Sequence, residues 1–164
     1  MRVLVSVLAA VMMALPSSQA AALSCMKYDI RQAWWEHVDA PQTYVLVRGS
    51  FSDLRDPHHD RANDKVIWRA TFAGMKASAR AFDQPFAAEV TITHHLFSII
   101  AGGDGSPDAL GQGLPGVEGL VFLQKTAGGH AIDTALCVPI IDTDPANVGP
   151  ALDCLNGRRC PRPN

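Results

Sequence analysis

Residues 119–137 read GLVFLQKTAGGHAIDTALC and predict two strands joined by a tight turn. The first strand contains the continuous apolar run 120–123, which begins next to a glycine. Residues 127–129 are Ala-Gly-Gly, and glycine adopts the positive φ angles of tight turns without steric cost. In the second strand the residues alternate between two faces, as in a half-buried strand. One face holds Ile132, Thr134 and Leu136.

Three more strands are predicted before this hairpin. The first covers residues 43–51 and contains Gly49, which marks a bulge or bend where a sheet curls toward a barrel. Residues 52–65, SDLRDPHHDRANDK, are polar and rich in turn-forming residues, so they predict a loop. Residues 66–77 predict the second strand. Residues 86–96 alternate cleanly and predict the third.

A helix is predicted at each end of this set of strands. The first begins after Asp29, which is a suitable N-cap. The second covers residues 145–155, between the N-cap Asp144 and Gly157. The apolar stripe that packs the first helix on a sheet is expected to consist of Ile30, Trp34 and Val38.

These elements predict a mainly β fold, namely a small OB-like five-stranded barrel with a short N-terminal and a short C-terminal helix. The number of strands, Gly49 and a long glycine-rich connection at residues 101–119 favour this architecture. Because the chain has 164 residues, one domain is expected, over residues 23–164.

Residues 1–22 have the pattern of a signal peptide, with one basic residue and an apolar run that ends at Pro16. The run is shorter than the ~20 residues of a membrane span, which argues against a transmembrane anchor. We therefore expect an exported protein, periplasmic or secreted, with no membrane span after signal removal. Cleavage can follow Ala20 or Ala22. Cleavage directly before Cys25 would instead resemble processing of an envelope lipoprotein lipidated at that cysteine.

The charge pattern excludes one class of partner. The formal net charge is −2, and no basic stripe runs through the body of the chain, so nucleic-acid binding is not expected. The basic cluster at residues 158–162 predicts a solvated terminus. The expected partner is another extracytoplasmic protein.

The chain has four cysteines, an even number that predicts two disulfides in an exported protein. Three pairings are open. The favoured one joins Cys154 to Cys160 as a local clasp and Cys25 to Cys137 as a bridge from the N-terminus to the last strand. A structural zinc site is not expected, because no C-x-x-C ligand pair is present.

A family resemblance rests on the strand YVLVRG at residues 44–49 and on the strand GLVFL at residues 119–123, hairpinned to a strand that ends in Cys137. Together they resemble the netrin-like domain, the OB-fold module of tissue metalloproteinase inhibitors and of several extracellular proteins. The similarity covers residues 25–137. It implies an OB fold and an extracellular binding role.

The resemblance also implies a role for Cys25. In the inhibitors the mature N-terminal cysteine chelates the protease zinc through its amine and carbonyl, which carries over to Cys25 if the mature chain starts there. The chain departs from the inhibitors because Met26 and Lys27 follow Cys25, where they have Cys-x-Cys. It also has His94 and His95 in a region where the family has a cysteine.

His58, His59 and Asp60 form the candidate metal site, since imidazole and carboxylate groups are common metal ligands. The alternative is a solvated polar loop. His94 and His95 project to opposite faces of a regular strand. His94 is expected in the core with a buried partner, and His95 at the surface or facing the N-terminal helix.

No complete catalytic set is present. Gly111, Gly113 and Gly116 match G-x-G-x-x-G but lack a βαβ context, and Ser106 lacks the G-x-S-x-G elbow. Asp104 and Asp108 lack EF-hand spacing. The sequence therefore predicts a non-enzymatic exported binding domain without a cofactor. The alternatives are a metal-binding periplasmic protein or enzyme using His58, His59 and Asp60, and a lipoprotein anchored at Cys25.

Overall fold

The computed structural model describes residues 29–95, 114–134 and 140–162. In these residues the elements follow one another along the chain as α1 (Ile30–Val38), β1 (Tyr44–Asp60), β2 (Lys65–Ala77), β3 (Phe82–His95), β4 (Glu118–Thr126), β5 (Gly129–Thr134) and α2 (Pro145–Leu155). The predicted mainly β class, with five strands and two short helices, is confirmed.

The five strands form one sheet that closes into a ring in the order β1-β2-β3-β5-β4. All neighbours pair antiparallel except β3 and β5, which run parallel, with Ile92 opposite Ile132. The hairpin predicted over residues 119–137 is confirmed as far as Thr134, with β4 and β5 joined at residues 127–128. Leu136 lies outside the described residues.

Strand β1 is longer in its second half than the sequence predicts. Residues 52–65 predict a loop, but β1 continues to Asp60, and only residues 61–64 form the turn to β2. Leu54 is partly buried against the ring interior, whereas most of the other residues added to the strand are exposed.

Two irregularities in the β1–β2 pairing explain why this segment resembles a loop. The register shifts between Ser52 and Arg55 and again between Arg55 and His58. Asp53 and Asp56, which lie in these intervals, have φ angles of 53° and 54°. Bulges add residues to one strand and break its period of two.

The apolar side chains form two clusters, one on each side of the sheet. The first fills the inside of the ring and consists of Val45, Val47, Phe51, Val66, Trp68, Ala70, Phe72, Val90, Ile92, Leu114, Val121, Leu123 and Ile132. The second lies between the sheet and the helices and consists of Ile30, Ala33, Leu46, Leu120, Phe122, Ile141 and Ala151. Because β4 contributes to both clusters, its residues 119–123 are all buried, which accounts for the continuous apolar run in the sequence.

Three glycines lie side by side on neighbouring strands. Gly49 of β1 pairs with Gly74 of β2 on one side and with Gly119 of β4 on the other. A Cβ atom on Gly49 would lie 2.8 Å from the Cα of Gly74, closer than packed carbon atoms approach. Gly49 lies in the part of β1 that pairs with both neighbours, since β4 pairs with residues 44–50 and β2 pairs from residue 47 onward. Glycine is therefore required at this position.

Both helices begin at the predicted caps. The carboxylate of Asp29 accepts a hydrogen bond from the backbone N–H of Arg31 at 2.7 Å, and that of Asp144 accepts one from Ala146 at 2.8 Å. One detail is wrong: Val38, placed on the apolar stripe, is 52% exposed, and Ala33 is buried instead. Neither helix of the described chain has the length and apolarity needed to cross a bilayer.

A disulfide joins Cys154 to Cys160, as predicted. It connects the buried end of α2 to the C-terminal tail, which also contacts α1. The indole N–H of Trp35 donates to the carbonyl of Cys160 at 3.2 Å, and the Arg162 guanidinium lies 4.5 Å from the centre of the Trp35 ring. The disulfide and these contacts with Trp35 therefore hold the tail, which the sequence predicts to be a solvated terminus, against the fold. Cys25, Cys137 and the signal peptide lie outside the described residues.

Candidate functional site

His58, His59 and Asp60 are the last three residues of β1 and lie on a strand rather than at a loop tip. His58 pairs with Ile67 and His59 with Val66, so the two imidazoles project to opposite faces of the sheet. Within residues 29–95, 114–134 and 140–162, no group of three or more His, Cys, Asp or Glu side chains could hold a metal ion. The metal site stays a prediction.

Asp60 has a local structural role at the β1–β2 turn. The side-chain amide of Asn63 donates a hydrogen bond to the Asp60 carboxylate at 2.7 Å. This bond is the main reason why the pKa of Asp60 is lowered from its ordinary value. The carboxylate therefore stabilises the turn that joins the two strands.

His94 has the buried partner that the sequence predicts, but the histidine itself is only partly buried and does not belong to the core. Its Nδ1 lies 2.9 Å from the hydroxyl oxygen of Thr134, which is fully buried and donates its own proton to the carbonyl of Thr93 at 3.2 Å. Because the only hydrogen of the hydroxyl is donated to Thr93, the hydroxyl can only accept from the ring, so Nδ1 of His94 carries the hydrogen of this bond. Burial lowers the pKa of His94. The imidazole is a structural link between the parallel strands β3 and β5.

His95 faces the other side of β3, where its Nε2 lies 2.8 Å from a carboxylate oxygen of Asp133 on β5. The pair is partly exposed at the end of the parallel ladder. An oriented histidine–carboxylate pair can relay a proton. No serine or cysteine of the described chain is hydrogen-bonded to it, so the nucleophile of a triad is missing from this part of the molecule.

His37 lies between α1 and the sheet. Its ring stacks on Phe122 at 4.3 Å between centroids and meets the edge of Tyr44 at 4.5 Å. Its Nδ1 donates to the carbonyl of Ala33 at 2.6 Å. Burial lowers the pKa of His37, partly offset by this hydrogen bond. These contacts assign His37 to packing rather than to a reactive site.

The outward side of β1, β2 and β3 carries a group of charged side chains that we call the Arg55 cluster: Asp53, Arg55, Arg69 and Glu89. Glu89 accepts from Arg55 at 2.6 Å and from Arg69 at 3.3 Å, and Arg55 is also bonded to Asp53. Arg55 and Arg69 are direct cross-strand partners, and Glu89 offsets the repulsion between their like charges. Hydrogen bonds therefore join all four side chains although the cluster is at the surface.

The strand geometry positions this cluster. The bulges in β1 leave Arg55 paired with Arg69 between two residues in the left-handed region, Asp53 and Asp56. Aspartate adopts this conformation more readily than most residues other than glycine, so it suits both bulge positions. Bulges also redirect side chains on a strand. The Arg55 cluster is the candidate functional site of the described chain.

The sequence does not predict the Arg55 cluster as a site, although it places Arg69 and Glu89 within the predicted strands at residues 66–77 and 86–96. That the two side chains meet depends on the pairing of β2 with β3. Arg55 was missed because residues 52–65 predict a loop. A signal was present, since Leu54 interrupts the polar run as an inward-facing residue would.

Comparisons with protein-family models, with curated proteins and with solved structures find no match for this chain. The resemblance to the netrin-like domain therefore stays a prediction.

Proposed function

We propose that this protein is an exported, non-enzymatic OB-like domain that binds another protein through the Arg55 cluster and the surrounding outer face of β1–β3. The observation that carries the proposal is an exposed sheet face on which charged side chains from three strands are hydrogen-bonded to one another. Both helices pack on the opposite part of the ring, against the second apolar cluster on β1 and β4. Among the described residues neither helix covers the outer face around the Arg55 cluster, and Arg69 and Glu89 are 59% and 52% exposed.

The strand order supports the OB-like assignment. OB folds are five-stranded Greek-key barrels that bind ligands on the face of strands 2 and 3 and on the adjoining loops. In the ring order β1-β2-β3-β5-β4, Arg69 and Glu89 lie on the second and third strands, whereas Asp53 and Arg55 lie on the adjoining β1. The step from fold to function is an analogy, because one fold serves many functions.

The charge balance favours a protein as the partner. The Arg55 cluster contains two cations and two anions, so it has no net charge to attract a polyanion. Arginine is enriched at protein interfaces, where it forms directional hydrogen bonds. A carboxylate of the partner can replace Glu89 as the hydrogen-bond acceptor of the two guanidiniums, and a cation of the partner can then pair with Glu89.

Differential capture tests the proposed surface. Wild-type protein, Arg69→Glu and the control Lys125→Glu are immobilised and exposed to the envelope extract of the source cell. Lys125 is exposed on β4, a strand that contributes no residue to the Arg55 cluster, and its substitution makes the same change in charge. We expect a protein that the wild type and Lys125→Glu retain and Arg69→Glu loses. Equal retention by all three, or none by the wild type, contradicts the proposal.

The mass of the mature N-terminus tests the proposed export. A chain that starts at Ala21 or Leu23 agrees with signal cleavage. A chain that starts at Cys25 with an added lipid mass establishes the lipoprotein alternative. An intact chain that retains Met1 contradicts export.

A further inference from the structure

A polar groove of about 530 Å³ lies on another part of the molecule, between the β2–β3 turn and the C-terminal half of α2. Arg80 of the turn forms one side. Asp153 and Asn156 of the helix, followed by Arg158, form the other. The groove thus brings together two segments that are about seventy residues apart in the chain.

The backbone of both arginines is held in place. At the turn, the hydroxyl oxygen of Ser78 accepts from the N–H groups of Arg80 and Ala81, both at 3.3 Å. After α2, Gly157 has a φ of 65°, and the N–H of Arg158 donates to the carbonyl of Asp153 at 2.8 Å. This is a Schellman motif, and the disulfide after it restrains the same loop. Preorganised groups lose less entropy when they bind a ligand.

The two guanidiniums have no carboxylate partner within 4.0 Å among the described residues, in contrast to Arg48, Arg55, Arg69 and Arg162. The groove holds two cations against the single carboxylate of Asp153. Guanidinium groups bind carboxylate and phosphate oxygens with two parallel hydrogen bonds. The charge of the groove therefore matches a ligand with an anionic group.

The C-terminal end of α2 would ordinarily repel an anion, since its last carbonyls carry a partial negative charge. Here three of those carbonyls are already bonded. Those of Asp153 and Cys154 accept from Arg158 and Gly157, and that of Leu152 accepts from the side-chain amide of Asn156 at 2.6 Å. Their capping reduces the repulsion at this end of the groove.

The wall of the groove at Gly149 is open. Apart from its chain neighbours and the backbone of its own helix, a Cβ atom at this position would meet no atom within 4 Å. Glycine inside a helix is less favourable than alanine by about 1 kcal/mol. Its presence keeps the wall free of a side chain, at some cost in helix stability.

We propose that this groove binds a small organic anion, with Arg80 and Arg158 holding its carboxylate or phosphate group and Asp153 accepting from its hydroxyl or ammonium group. The proposal concerns a surface distinct from the Arg55 cluster and does not depend on the protein-binding function.

The test is a titration of the isotope-labelled protein, followed by amide chemical shifts at constant ionic strength. The probes are glucose 6-phosphate, glucuronate and, as the uncharged control, glucose. We expect saturable shifts of Arg80, Gly149 and Arg158 with at least one of the two anions and none with glucose. Which anion binds identifies phosphate or carboxylate as the recognised group. No saturable shift at these residues with either anion overturns the proposal.

Variants separate this site from general surface charge. Arg80→Gln and Arg158→Gln are each expected to weaken binding about tenfold, as loss of a charge-assisted hydrogen bond does. Arg159→Gln is the matched control, since Arg159 is adjacent and exposed but does not line the groove. Gly149→Leu should block the groove and Gly149→Ala should not. Equal weakening by Arg158→Gln and Arg159→Gln overturns the proposal, and unchanged amide spectra elsewhere show that each variant is folded.

Discussion

Replacing Cys154 and Cys160 together by alanine should destabilise the protein by an amount that the structure allows us to calculate. The disulfide closes a loop with a sequence separation of 6. Removing the cross-link lets the unfolded chain recover the entropy of this loop, which amounts to about 2 kcal/mol at room temperature. Alanine rather than serine is chosen because Cys154 is buried, and a hydroxyl there would lack a partner.

Two smaller terms accompany the loss of the cross-link. The alanine at position 154 leaves a small void, which costs up to about 1 kcal/mol. The tail also loses its tether, so the indole hydrogen bond from Trp35 to Cys160 is no longer held in place. For a domain of this size the sum corresponds to a fall in Tm of roughly 6 to 10 °C.

Urea unfolding of the wild type and the double variant measures this difference, both without reductant. Hydrogen exchange of the Trp35 indole reports release of the tail separately from global stability. Arg162→Ala is the control, because it keeps the disulfide and removes only an exposed ion pair with Asp39 and the stacking on Trp35. The control should lose no more than about 1 kcal/mol. A double variant within about 0.5 kcal/mol of the wild type would refute the reasoning.

Three further predictions concern the sheet and its histidines. Gly49→Ala should prevent native folding, because its Cβ would lie 2.8 Å from the Cα of Gly74; a far-UV spectrum and urea midpoint equal to the wild type would contradict this. Thr134→Val keeps the shape of the side chain but leaves the ring N–H of His94 without its acceptor, so we expect a loss of about 1–3 kcal/mol in urea unfolding, and no loss would show that the bond is unimportant. Burial lowers the folded-state pKa of His37 and of His94, so both bind a proton less readily in the folded protein than in the unfolded chain, and their contribution to stability is complete above an unfolded pKa of about 6.5. The free energy of unfolding should therefore fall as the pH drops below about 6.5, and less steeply in His37→Phe; an equal slope in the two proteins would contradict the assignment for His37.

Local sequence signals predict the elements that have a regular period and a clear boundary. The alternation over residues 86–95 gives β3 its buried side, and the Ala-Gly-Gly at residues 127–129 gives the hairpin. Asp29 and Asp144 locate the two helix starts through their side-chain caps. Each of these features depends on residues close together in the chain, which is why the sequence is sufficient to find them.

The features that the sequence does not predict depend on distant pairing. The sequence does not predict the second half of β1, because two bulges remove the two-residue alternation of a strand. For the same reason it does not predict Arg55 and the cluster on the outer face. The parallel pairing of β3 with β5 has no local signature, since it joins residues about forty positions apart. The groove between Arg80 and Arg158 likewise exists only after folding.

The central claim is that five strands close into a ring through the parallel pairing of β3 and β5, with the Arg55 cluster exposed on the outer side of β1–β3. Nuclear Overhauser contacts between backbone protons of β3 and β5 test this most directly. The structure predicts contacts in parallel register around Ile92 and Ile132, continuing toward His94 and Thr134. Absence of contacts between these strands, or contacts in antiparallel register, would contradict it.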